Sequence, residues 1–125
     1  MKRDMELIRK ILMTIEDEYK PEEGFLWNLK VDGYDAPTIA EHCNLMEEGM
    51  LIKAYGAEYA DDEMQTFRVG SLTARGYEYL ELIRSNEVWD KTKTEIETKK
   101  LPNTYETITI VAAMFLTLDK REPRV

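Results

Sequence analysis

An α+β fold, mainly helical with a small antiparallel β wing, is predicted by three features of residues 34–69. Residues 35–49 carry helix signals from end to end. The apolar run of residues 50–56 follows with no linker and reads as a strand, and residues 64–69 read as its antiparallel partner. Helix, glycine-containing turn and two-stranded wing, with further helices towards the C-terminus, is the plan of a winged helix-turn-helix module. The expected division is a winged-helix domain over residues 1–84 and a helical extension over 85–125.

The central helix has an explicit start and stop. Asp35 is an N-cap whose carboxylate can accept first-turn N–H groups. Pro37 sits in that first turn, where a missing N–H costs little. Ile39, Cys43 and Met46 make the apolar stripe. Gly49 is expected to end the helix in the left-handed conformation. The outward face then carries Thr38, Glu41, Asn44, Leu45 and Glu48, which includes two glutamates and no Lys or Arg.

Bulk properties bound the rest. A 125-residue chain, 43% hydrophobic and 34% charged, is long enough for one core and an appendage. Its net charge of -8 opposes phosphate backbones and anionic lipid surfaces over the whole chain. The single cysteine, Cys43, has no partner for an internal disulfide, which suits a reducing compartment. No secretory leader is evident, and the most apolar stretch, residues 108–118, is too short to span a bilayer. A cytoplasmic location is expected.

Taken in order, the first helix is capped by Asp4 and buries Met5, Ile8, Ile11, Leu12 and Ile15, with Tyr19 at its end. Arg9, Lys10, Glu16 and Asp17 fall on its solvated side. Residues 20–24 break it. Phe25, Trp27, Leu29 and Val31 alternate with Leu26, Asn28 and Lys30, which predicts a half-buried strand with Trp27 in the core. The wing tip, residues 57–63, is acidic, with Tyr59 as its one large apolar group. It lacks the alternating oxygen ligands and fixed glycine of an EF-hand loop, and reads as a solvated turn.

Thr73 caps the next helix, with Leu72 and Tyr77 placed for a hydrophobic staple. Beyond the break at Ser85-Asn86, residues Val88, Trp89, Thr92 and Ile96 mark a further amphipathic helix, with Lys91, Lys93 and Glu95 outward. Asn103 and Glu106 resemble a capping box for a last helix, in which Ile108, Val111, Ala112, Phe115 and Leu118 share a face. Ile110, Met114 and Leu116 lie on its other faces, so this helix needs cover on more than one side. A second copy of the chain is one such cover, with Val111, Phe115 and Leu116 as the contact candidates. Residues 119–125 read as a charged, frayed tail.

Several stretches together resemble a known family. They are residues 1–12, Gly33-Tyr34, residues 45–54, Leu72-Thr73 with residues 76–80, and residues 88–93. They are similar to the uncharacterised bacterial and phage-associated domain-of-unknown-function 2513 family. The resemblance implies a small cytosolic winged-helix-like protein, often carried by prophages, and it carries over no catalytic residue. Members place Gly directly before the Leu-Ile pair, where Met50 stands here.

No residue set demands a particular chemistry. His42 and Cys43 are helix neighbours pointing about 100° apart, so they do not face each other. No second histidine exists to complete a metal site or a triad. There is no glycine-rich phosphate loop and no nucleophile elbow. An enzyme is not expected, and neither a cofactor nor a metal is implied. The leading expectation is a protein-binding or self-associating regulatory module that meets its partner through Thr38, Glu41, Asn44, Leu45, Glu48 and Tyr59. The alternative is a dimeric winged-helix regulator on double-stranded DNA, anchored by Lys53, Arg68 and Arg75, with Lys91, Lys93, Lys99 and Lys100 as a separate basic set.

Overall fold

The computed structural model describes residues 1–121, with side chains as far as Leu118. The tail read from residues 119–125 therefore falls outside the described side chains. The elements run α1 (Met5–Glu18), β1 (Leu26–Trp27), α2 (Ala36–Glu48), β2 (Gly56–Ala60), β3 (Glu63–Val69), α3 (Ala74–Ile83), α4 (Asn86–Lys99) and α5 (Tyr105–Arg121). This is an α+β fold. It divides into two compact units, Met1–Tyr77 and Glu78–Val125. The division falls inside α3, whereas the sequence suggested a boundary after residue 84.

In the first unit α1 packs against α2. Asp4 caps α1 by accepting from the Glu6 and Leu7 N–H groups. Met5, Leu7, Ile8, Ile11, Leu12 and Ile15 are buried along its inner face. Arg9 is also buried, at 5% exposure, against the expectation of a solvated position. It lies one residue from Ile8 on the stripe, and its aliphatic stem can be buried with it.

The antiparallel sheet has strand order β1-β3-β2. Asp61 and Asp62 join β2 to β3, both with positive φ, 53° and 66°. That is the two-residue hairpin turn whose twist matches the strands, and Asp tolerates its left-handed positions. The element order and sheet order are compatible with a winged-helix plan. One helix, α2, occupies the interval between β1 and β2, where a helix-turn-helix reader places two.

Several local expectations are corrected. The strand predicted over residues 25–31 is only Leu26–Trp27, because Asn28 adopts φ 50° and breaks the alternation. The Asn28 carboxamide instead accepts from the Phe67 N–H, while its own N–H donates to the Phe67 carbonyl. Leu29 is buried as expected, but Trp27 is 50% and Phe25 37% exposed.

Residues 50–56 do not form the first wing strand. Met50 and Ala54 have φ 61° and 59°, and this stretch contributes a single bridge, Ile52 to Leu72. The left-handed residue ending α2 is Met50, not Gly49, whose φ is -79°. Met50 N–H donates to Glu47 and Leu51 N–H to Met46, the paired bonds of a Schellman ending.

Thr73 caps α3 by accepting from the Gly76 N–H, and its hydroxyl donates to the Met50 carbonyl. Tyr77 is 45% exposed, so it does not form the expected buried staple with Leu72. In the second unit α4 packs against α5. Ser85 caps α4, which buries Val88, Trp89, Thr92 and Ile96 as its spacing predicts. The cap of α5 is Thr104, whose hydroxyl accepts from Thr107 N–H, rather than Asn103.

Candidate partner-binding surface

The outward side of α2 is as acidic as its sequence. Glu41 and Glu48 are exposed, while Thr38, Asn44 and Leu45 are half-buried. Thr38 is tied inward: its N–H donates to Asp35 and its carbonyl meets His42 Nδ1 at 2.8 Å. The Thr38 bond holds the Asp35 carboxyl below the usual carboxylate range. At the far end of α2, Glu47 accepts from the Tyr55 N–H at 2.6 Å and fixes the chain entering β2. Burial, then the charges and bonds of neighbours including Tyr59 and Glu41, push the Tyr55 hydroxyl up to about 12. Tyr59 itself is 60% exposed. The Tyr55 hydroxyl thus lies near both Glu41 of α2 and Tyr59 of the hairpin, whose Glu58, Asp61, Asp62 and Glu63 are exposed.

His42 and Cys43 point into the core. His42 is fully buried; its Nδ1 donates to Thr38 O and its Nε2 accepts from the Asp4 N–H at 2.9 Å. That pair of bonds requires the neutral Nδ1–H tautomer. Asp4 also accepts from the Tyr34 hydroxyl at 2.9 Å, so one node joins α1, α2 and the turn before α2. Burial pushes the Cys43 thiol up to about 12, far from a nucleophilic thiolate. Among the described residues, no group of three or more His, Cys, Asp or Glu could hold a metal ion.

Lys53 and Arg75 are exposed. Arg68 is half-buried, its Nη1 donating to Ala54 O at 2.7 Å and its guanidinium carbon 4.3 Å from the Phe25 ring centre. Trp27, directly opposite Arg68 in the ladder, stands beside it. Sequence reasoning missed this exposed aromatic cluster by treating Trp27 as core. The signal lay in Gly24 and Asn28, both turn formers, which leave too few residues between them for a buried strand.

In the second unit, Lys91, Lys93 and Lys99 pair with Glu87, Asp90 and Glu95 along α4. Lys100, the fourth member of that set, is exposed at the C-terminal end of α4. Of the dimer candidates, Val111 is 5% exposed and buried within its own chain; Phe115 and Leu116 are half-buried. The exposed apolar ridge of α5 is Ile110, Met114 and Leu118, at 63%, 51% and 55% exposure. Their four-residue spacing was legible, but Leu118 was assigned to the inner face.

Among the described residues, no helix is long and apolar enough to cross a membrane. No solved structure matches the chain. An uncharacterised protein of Haemophilus influenzae is 33% identical over 112 residues, covering 90% of this chain and 92% of that protein. A family described as "Hypothetical protein (DUF2513)" matches residues 2–102, which leaves α5 beyond the matched segment. With α1 to α4, their caps and the Leu-Ile step inside that match, this chain belongs to the family of hypothetical proteins DUF2513.

Proposed function

We propose that this chain is a non-enzymatic regulatory module that recognises a basic protein surface through the acidic side of its first unit. The observation that carries the reading is where the charge sits. Residues 1–77 hold sixteen Asp and Glu against nine Lys and Arg, while residues 78–125 hold nine against eight. Exposed Glu41 and Glu48 on α2 and Glu58, Asp61, Asp62 and Glu63 on the hairpin present that charge, with Tyr59 as an aromatic contact. Tyrosine inside a polar rim is a recurrent composition for a binding centre. The same carboxylates forfeit the counterion release that sustains DNA binding. The prophage setting implied by the family resemblance belongs to this reading, as does a cytoplasmic location.

The test is affinity capture from a native cytoplasm with wild type and the Glu41→Lys/Glu48→Lys variant in parallel. A protein retained by wild type, lost with the variant, and released between about 50 and about 300 mM salt supports the reading. A partner that ignores both the variant and the salt refutes it. Retardation of random duplex DNA at low salt, steeply weakened as salt rises, would put the DNA-regulator reading in its place.

A second reading, self-association, is favoured by the ridge Ile110–Met114–Leu118. Beside it lies the small row Thr109, Ala113 and Thr117, and the Thr117 hydroxyl turns back to Ala113 O at 2.9 Å, leaving its methyl outward. A ridge next to a shallow row is self-complementary when two helices cross. Light scattering should then show mass rising with concentration above 14.7 kDa, and Met114→Glu should abolish the rise. A constant monomer mass removes this reading.

A further inference from the structure

On the outer sheet face of the first unit, the Arg68 guanidinium is satisfied on every side but one. Phe25 stacks on it, with the ring centre 4.3 Å from its central carbon. Gly56 lies opposite Arg68 in the ladder, and a Cβ there would be 2.9 Å from that carbon and from Nη2, and 3.2 Å from Nε. Near-equal distances to three guanidinium atoms put Gly56 against the plane of the group, not its edge. Nη1 is engaged by Ala54 O at 2.7 Å. The Nε–Nη2 edge is the side left over, and among the described residues no carboxylate pairs with Arg68, although Glu58 borders the same cavity. That cavity, about 140 Å³, is lined by Trp27, Thr66 and Arg68 with residues 56–58. The Thr66 hydroxyl is buried and finds no hydrogen-bond partner among the described residues.

We infer that Arg68, Thr66 and Trp27 form a receptor for a single carboxylate carried next to a flat or apolar group. The Nε–Nη2 edge is the fork that grips a carboxylate through two parallel bonds, and its rigid mounting removes most of the ordering cost. Thr66 walls the cavity beside the fork, and half-exposed Trp27 offers a face for the group attached to the carboxylate. A monoanion fits better than a phosphate, because Glu58 and the acidic hairpin repel a dianion more strongly. The site shares Glu58 with the acidic face proposed above, but its test reads Arg68 and Trp27, which that face does not use, so either can fail alone.

The experiment follows the Arg68 Nε–H and Trp27 indole N–H resonances of the wild-type chain during titration with sodium acetate, benzoate and phosphate at matched ionic strength. Saturable shifts of both resonances are expected with acetate at about 1–100 mM, with benzoate several-fold tighter through the indole. Arg68→Lys keeps the charge but loses the paired edge, and should weaken binding by roughly tenfold or more. N-acetylglycine and N-acetylglutamate amide distinguish a chain terminus from an acidic side chain as the source, and tighter binding of either supports the site. A response no different from chloride, phosphate binding tighter than acetate, or unchanged affinity in Arg68→Lys would overturn it. The wild-type titration alone decides the matter if the variant fails to fold.

Discussion

Gly76 is a glycine for want of space, and Gly76→Ala measures how little there is. Its backbone is ordinary helix, so no unusual φ calls for glycine. A Cβ built on it would lie 2.1 Å from the Leu51 carbonyl oxygen, more than an ångström short of the 3.4 Å at which ordinary contact begins. The obstacle is backbone, not a side chain that can swing away. Leu51 is fully buried, and its carbonyl accepts from the Thr73 N–H at 3.0 Å, so retreat strains the bond that seats the start of α3. Overpacking of this kind costs about 1–3 kcal/mol. Weakening the Thr73 bond adds up to ~1 kcal/mol. Alanine's better helix propensity returns about 1 kcal/mol. The net is a loss of about 2 kcal/mol, or ~6–12 °C in melting temperature for a chain of this size. Urea unfolding followed by far-ultraviolet circular dichroism gives the number directly. An alanine variant as stable as wild type would refute the close approach of α3 to the α2 exit.

Met50→Gly should act in the opposite direction. Met50 holds φ 61° with 64% of its surface exposed, so glycine relieves left-handed strain of about 1 kcal/mol at little cost in burial, and thermal melting should rise by ~3–6 °C. Thr92 is fully buried and its hydroxyl finds no hydrogen-bond partner among the described residues, so Thr92→Val, of matching shape, should stabilise by ~1 kcal/mol in the same urea assay. Cys43 links stability to alkaline pH. Its thiol ordinarily titrates near 9.0 and is raised to about 12 in the fold, so its contribution is complete below pH 9.0 and lost as pH climbs towards about 12. Melting temperature should fall over that window, less steeply in Cys43→Ala, and a thiol reagent at neutral pH should label the native protein only as fast as it unfolds.

The helices were legible in the sequence because each carries its own signals. Asp4, Asp35 and Thr73 cap where local chemistry says they should, and the buried set of α4 is the one its spacing names. These depend on neighbours within a few residues, which a linear pattern records. The family was legible for the same reason. Four outcomes were settled only by tertiary structure. Met50 rather than Gly49 turns left-handed, because Thr73 and Leu51 clamp the α2 exit from the far side of the chain. Trp27 lies outside because Asn28 bonds to Phe67, a residue 39 positions away, and cuts the strand short. His42 is buried because Asp4 brings it a backbone N–H from another helix. Arg68 is mounted by Phe25, Ala54 and Gly56 from three separate stretches. Periodicity fixes which side of an element is apolar; which polar groups meet across elements depends on long-range partners that no local window contains.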